Sequence, residues 1–255
     1  MKEWRERRSL SQLALACGAS VSQRHLSFVE SGRSSPSREM VVRLAEQLSV
    51  PLRERNALLV AAGFAPLYSQ RAPEDPALRS PGAAIAAILR GHEPCPALAV
   101  DRHWNLVHAN DALAPLLAGV DKDLLKAPIN LLRLTLHPRG LMPRIVNYFE
   151  WRQYLLQRLD REIAKTADLI LAELAKELKS YQSDGTGNGI AANLPDRGNA
   201  ALLLQLSTEL GPLSLISTTT VFGTALDIGL SELTIEAFFP ADGDTAKRLQ
   251  RISAA

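Results

Sequence analysis

A mixed α + α/β, multi-domain fold is what this sequence predicts: an all-α N-terminal domain followed by an α+β domain built on an antiparallel sheet. Three observations carry it. The 255 residues are 46% hydrophobic and 22% charged, so the chain can bury a core, and that length suits two modest domains better than one large one. Apolar residues recur with helical spacing up to about residue 64 and with strand spacing in much of the remainder. Between them Pro66, Pro73, Pro76 and Pro81 stud a polar stretch that cannot continue a helix. The expected division is a helical domain at 1–64, a semi-stiff linker at 65–82 and a second domain at 83–255.

The first helix begins almost at Met1 with only Trp4 and Leu10 as large apolar anchors, which predicts a natural start codon upstream. Ser11 precedes the apolar segment Gln12 to Ala16, closed by Cys17-Gly18, and its hydroxyl suits an N-cap. Ser22 opens a second such segment, Gln23 to Glu30, with Leu26 and Val29 facing inward and Ser31-Gly32 ending it. Ser37, after Pro36, starts a third in which Val41, Leu44, Ala45 and Leu48 fall at i, i+3, i+4 and i+7. Pro51 begins a fourth, with Leu52, Leu58, Leu59 and Ala62 before Gly63. Helices this short are marginal in water and must pack on one another.

In the second domain, Ala97 to Val100 and Leu106 to Ala109 read as strands joined by a turn, and Asn110-Asp111 is expected to cap a helix holding Leu113, Leu116 and Leu117. From Pro143 to about Ile163 a helix is expected to bury Ile145, Phe149, Leu156, Leu159 and Ile163. Another should bury Ile170, Leu174, Leu178 and Tyr181. Gly185, Gly187, Gly189 and Gly198 mark a flexible loop. The runs Ala201–Thr208, Leu213–Phe222 and Leu233–Phe239 are β-rich, the first two joined in a hairpin at Glu209 to Pro212. An antiparallel sheet with helices on one face follows.

Charge and cysteine content narrow the function. Lys and Arg number 29 against 27 Asp and Glu, but residues 1–66 hold 10 basic and 6 acidic side chains, net +4, against 19 and 21, net −2, in the rest. Positive charge therefore gathers at the N-terminal end. Cys17 and Cys95 are far apart with no CxxC partner, so neither a disulfide framework nor a thiolate metal site is indicated. No apolar run reaches the length of a membrane span, and Met1 to Arg5 leads into charge where a secretory signal turns apolar, which points to a cytoplasmic protein without a membrane partner.

The spacing Leu10-Ser11-Gln12, a short helix, then Val21 to Gly32, then Arg33 and Pro36-Ser37 resembles the helix-turn-helix of the Cro/repressor-like, or XRE, family, with its lambda-repressor-like all-helical fold, over about 60 residues. A helix whose exposed first turn carries Gln, Arg and His can enter the major groove of double-stranded DNA, where Gln matches adenine and Arg matches guanine. Gln23, Arg24 and Ser27 are the candidate base readers on the helix opened by Ser22, and His25 suits packing or a phosphate. Gln12 with the amides near it, and Arg33, Ser34 and Arg38, are expected to position the phosphates. A single arginine of this kind is equally a solvated surface charge; the constellation carries the reading. Three residues separate Gly18 from Ser22, about two more than a tight turn needs, so an earlier start or a different tilt is expected for the second helix.

A narrower resemblance covers nearly the whole chain. Arg24 to Ser34, Pro36 to Val41, Pro51 to Asn56, Val100 to Trp104, Leu136-His137-Pro138, Pro143 to Asn147, Glu150-Trp151-Arg152, Phe222-Gly223-Thr224 and Glu236 to Pro240 are similar to the MmyB-like subfamily of these regulators. That resemblance implies a PAS-like effector domain, a sheet curled around a small-molecule pocket, joined to the DNA reader. Faces rich in Leu, Ile and Phe with arginines between them suit an elongated amphipathic ligand, its tail on apolar walls and its acid head on a guanidinium. A fatty-acid-like molecule is the leading expectation, with His137, Arg144, Asn147, Tyr148, Trp151 and Arg152 as lining residues. Trp151 and Tyr148 suit an ordinary core as well, and Arg152 suits a pair with Glu150.

Signals of catalysis are poor. GxSxG, HExxH, GxxxxGK and strand-linked GxGxxG patterns are absent, and His25, His92, His103, His108 and His137 lack metal-ligand spacing. Asp184 to Gly189 follows a helix and precedes a strand, the wrong order for a phosphate cradle, and nothing marks a haem or flavin. The expectation is a non-enzymatic, cofactor-free transcription regulator acting as a homodimer, since two half-sites multiply affinity. The rival readings make the second domain a dimerisation scaffold or a small-molecule enzyme.

Overall fold

The computed structural model describes residues 1–70, 79–181, 202–222 and 227–253. The chain divides into two compact units: Met1–Arg71 with Ala164–Ala167 and Thr224–Ser231, and Ala72–Ile163 with Asp168–Gly223 and Glu232–Ala255. The glycine-rich segment expected to be a flexible loop lies outside the described residues.

Five helices open the chain: α1 (Lys2–Arg7), α2 (Gln12–Gly18), α3 (Gln23–Glu30), α4 (Arg38–Gln47) and α5 (Leu52–Ala61). The hydroxyls of Ser11, Ser22 and Ser37 accept from the amides of Ala14, His25 and Met40 at 3.0, 3.1 and 3.2 Å, capping α2, α3 and α4. Each such cap stabilises its helix by about 1 kcal/mol. Since Ser22 holds the first turn, α3 begins at Gln23 and not earlier; the longer α2–α3 turn is absorbed by Ser20 at φ 54° and a bond from the Val21 amide to the Ala16 carbonyl. Gly32, at φ 73°, ends α3, with its own amide on the Val29 carbonyl and that of Arg33 on the Phe28 carbonyl, a reversal that a side chain at Gly32 would strain. Leu15, Leu26, Leu44 and Leu48 form the core with Ala16, Met40 and Ala45, and Trp4 and Leu10 pack against it.

The expected linker is structured at both ends. The Asn56 side chain of α5 accepts from the amides of Leu67 and Tyr68 and donates to the Tyr68 carbonyl. At the other end α6 (Arg79–Arg90) starts before Gly82, and Pro81 is tolerated because its missing N–H falls in the first turn, where no intrahelical partner exists.

The elements that follow are β1 (Ala97–Val100), β2 (Leu106–Ala109), α7 (Leu131–Leu136), α8 (Tyr148–Thr166), α9 (Leu169–Ser180), β3 (Leu203–Leu206), β4 (Leu213–Val221), α10 (Ile228–Ser231), β5 (Thr234–Pro240) and α11 (Gly243–Ser253). The five strands form one sheet in the order β2-β1-β5-β4-β3 with every pairing antiparallel. The longest register, Leu215↔Pro240 to Val221↔Thr234, joins β4 to β5. The β3–β4 hairpin turns at Gly211, φ 107°, with Thr208 and Gly211 exchanging backbone bonds. No helix among the described residues is long and apolar enough to cross a membrane.

Three local expectations change. Asp111–Leu117 is a 3-10 helix, since Pro115 inside it removes a donor, and Asn110 does not cap it: that side chain accepts from the Ala97 amide and donates to the carbonyls of Leu89 and Cys95. The helix expected from Pro143 starts only at Tyr148: Met142–Arg144 forms a separate 3-10 helix, and the turn after it is held against β3. The Val146 amide donates to Gln205, the Ser207 amide to Arg144, and Ile145 bridges Leu206. Starting there, α8 buries Tyr148, Trp151, Leu155, Leu156 and Leu159 and leaves Phe149 exposed, while α9 buries Leu171, Leu174, Ala175 and Leu178 and leaves Ile170 exposed.

Candidate functional site

In the helical unit, a buried ion pair fixes the geometry of α1, α2 and α3. Arg5 donates from Nε and Nη2 to both oxygens of Glu30 at 2.7 and 2.9 Å, and from Nη1 to the Leu10 carbonyl. Gln12, the first residue of α2, donates to the same carboxylate at 2.8 Å. The Glu30 side chain is only 2% exposed. Burial pushes its carboxyl up, but the bonds from Arg5 and Gln12 outweigh burial and hold it below the ordinary glutamate value. Gln23 and Arg24, the first two residues of α3, stay exposed, as do Arg33 and Arg38. The Arg24 guanidinium lies 5.6 Å from the centroid of the Phe28 ring, so Phe28 supports that arginine.

In the second unit the sheet and helices line a partly open, apolar cavity of about 60 Å³. A water needs roughly 10–15 Å³ measured this way, so the void takes a short aliphatic segment. Its walls come from β1 (Leu98), the 3-10 helix Asp111–Leu117 (Leu113, Leu116), α7 (Leu132), α8 (Trp151, Leu155) and the strands β3 and β4 (Leu204, Leu215). Its polar lining includes Arg158, Glu236 and Ser217. Arg158 donates from Nη2 to Glu236 at 2.6 Å, has Nε 3.5 Å from Glu162, and lies over the Trp104 ring at 4.5 Å. Trp104 Nε1 donates to Glu162 at 2.8 Å, and the hydroxyls of Ser217 and Thr219 donate to Glu236. Burial pushes the Glu162 carboxyl above its ordinary value. Among the described residues, no three His, Cys, Asp or Glu are grouped to hold a metal.

Comparison with known proteins turns these two features into a family. Residues 81–252 match the MmyB-like transcription regulator ligand binding domain, and residues 1–55 match a helix-turn-helix family. The chain belongs to the MmyB-like transcription regulators. No curated protein matches it. It is similar to the solved structure of an RNA-binding light-oxygen-voltage receptor at 12% identity and a TM-score of 0.28, covering 100% of this chain and 62% of the length of that one.

The helix-turn-helix and the ligand-binding domain make this MmyB-like regulator a DNA-binding transcription regulator with a ligand-binding domain of PAS-like α+β fold. Of its nine sequence-predicted DNA residues, two are engaged within the protein: the Ser22 hydroxyl caps α3, and the Gln12 amide donates to Glu30. His25, Ser27 and Ser34 are half-buried.

Of the six residues expected to line the ligand site, Trp151 alone lines this cavity. Arg144 donates to the carbonyls of Leu116, Ala118 and Ser207, and Arg152 to those of Leu178 and Lys179 at the end of α9. The Asn147 side chain bonds Leu203 and Gln205, pinning β3; Tyr148 donates to the Leu136 carbonyl; the His137 ring accepts from the Arg139 amide and packs on Tyr181. In place of those five, the structure brings Arg158, Glu236, Ser217 and Tyr154 to the cavity. Arg158 and Tyr154 could have been found, since they follow Trp151 by seven and three positions on one helix face. Glu236, in a β-rich run, gives no such signal.

Proposed function

We propose that this regulator is a one-component sensor, in which the α2–α3 pair reads double-stranded DNA as a homodimer and the second domain takes a small apolar effector with a fatty-acid-like aliphatic body. The observation that carries the effector half is the partly open, leucine-lined cavity inside the PAS-like domain. Cavities lined by apolar groups stay dry, and filling one with an aliphatic chain recovers lost dispersion contacts. Control then requires the effector to bind the DNA-competent and incompetent arrangements unequally. Native mass spectrometry of freshly purified protein tests this half: a retained lipid of defined mass is expected, and a chain that carries nothing and takes up no aliphatic probe favours the scaffold reading.

On the DNA side, Gln23, Arg24 and Ser27 read base edges, while Arg33, Ser34, Arg38 and the capped N-terminus of α2 near Gln12 hold phosphates, with Ser22 and His25 shaping the start of α3. The support is exposure: Gln23, Arg24, Arg33 and Arg38 all keep their side chains in solvent. Arg38→Ala is expected to weaken binding about equally on every sequence and to flatten the slope of log affinity against log salt by about 0.9. A salt titration on two unrelated duplexes checks it; an unchanged slope removes Arg38 from the phosphate contacts.

A further inference from the structure

The helix α3 carries one large apolar side chain that the fold does not use. Its apolar residues are Leu26, Phe28 and Val29. Leu26 is fully buried and Val29 packs on the core of the helical unit, whereas Phe28, among the described residues, neither forms that core nor packs against it. The Phe28 side chain is half-buried, and the group recorded over its ring is the Arg24 guanidinium. A lone part-exposed apolar residue is ordinary on a protein surface. What singles out Phe28 is where it stands.

Arg24 and Phe28 are four residues apart, so they share one face of α3, one turn from each other. The backbone at Phe28 is fixed: its carbonyl accepts from the amides of Arg33 and Ser34 at 2.8 and 3.3 Å and from the Ser31 hydroxyl at 3.2 Å. Wherever Arg24 reaches a base, the ring is therefore carried in beside it at a set position. Four residues of helix advance about 6 Å and successive base pairs lie about 3.4 Å apart, so the two side chains meet bases no more than about two pairs apart. A phenyl ring has no hydrogen bond to give, and the apolar group that the major groove displays on a base edge is the 5-methyl of thymine.

Resting on the reading in which Arg24 meets a guanine, we infer that Phe28 is a further specificity-determining residue, whose ring packs on the methyl group of a thymine within about two base pairs of that guanine. Gln23, Arg24 and Ser27 supply the hydrogen-bonding part of the readout and Phe28 the apolar part. Because the guanidinium of Arg24 lies over the ring, both contacts are made together, and the operator carries the guanine and the thymine as a linked pair.

The test uses the full-length protein and a duplex selected from a random library. The guanine is located as the position whose preference Arg24→Ala removes. Each thymine is then replaced in turn by uracil, which pairs as thymine does but lacks the methyl group. At one thymine within about two base pairs of the guanine, uracil is expected to weaken binding about fourfold, the worth of one buried methyl group. In Phe28→Ala the same replacement should change affinity by less than about 1.5-fold, a loss of methyl response that a merely structural role for the ring would not produce. If Phe28→Ala does not fold, the uracil scan of the unaltered protein decides alone. A scan that is flat around the guanine, or a methyl response that survives Phe28→Ala, overturns this inference and leaves Arg24 as a base reader. If no guanine depends on Arg24, both fall.

Discussion

Replacing Gln23 and Arg24 together with alanine is expected to erase sequence preference while leaving the helical unit folded. Both side chains are exposed at the first turn of α3, and the cap of that helix is the Ser22 hydroxyl, which the substitutions leave in place. A bidentate side chain on a base edge discriminates by about 1–3 kcal/mol, so two of them account for about 2–6 kcal/mol of specificity. On a duplex selected from a random library, the ratio of specific to scrambled affinity should therefore fall by at least about 30-fold. Non-specific affinity should fall much less, by the share of one phosphate-attracting charge. Arg24 also loses its place over the Phe28 ring, a contribution of about 0.5–1 kcal/mol at an exposed site, too small to unfold the unit. A specificity ratio that survives the double change would place the base readers elsewhere on the domain.

Glu30→Ala is expected to be the most destabilising single change in the helical unit. The Arg5 side chain is 11% exposed and that of Glu30 2%, so removing the carboxylate strands a buried guanidinium and also the Gln12 amide. Breaking a buried pair from one side costs about 3–5 kcal/mol, a large part of the whole stability of a small domain. Because the network ties α1, the start of α2 and the end of α3 together, DNA affinity should be lost with it, and Glu30→Gln should recover part of the stability. The same carboxyl sets a pH dependence. Its value in the folded protein lies below its ordinary one, so its contribution is fully present above the ordinary value and is lost as pH falls through the folded value. Thermal melts of the unaltered protein and of Glu30→Gln should converge on acidification. A constant gap across the acid range would assign the stability to something other than the charge.

The parts of this architecture that could be read from the amino-acid order are those made by neighbours. Ser11, Ser22 and Ser37 each satisfy an amide three residues on, so their helices announce their own starts. Val41, Leu44, Ala45 and Leu48 fall on one face over about two helical turns and are all buried. The β3–β4 hairpin is legible for the same reason, with Gly211 at a positive φ between two β-branched or leucine-rich runs. Where the reading failed, a distant partner had intervened. Residues 144–147 have helical spacing but pair with Gln205 and Ser207, about 60 residues away, which delays α8 to Tyr148. Arg144 and Arg152 have the composition of a carboxylate site, yet a guanidinium that holds carbonyls looks the same in a sequence as one that waits for an acid.

The amino-acid order by itself determined the helix-turn-helix, its exposed Gln23 and Arg24 and the antiparallel strands, because caps, turns and periodicity act over a few residues. Only the tertiary structure decided what the second domain's interior is. Arg158 meets Glu236 across 78 positions and Trp104 meets Glu162 across 58, while Trp151 keeps an indole N–H that no residue answers. Desolvation is a property of the finished packing: whether a donor is buried and alone, or a cation already neutralised, exists only once distant segments have closed around it.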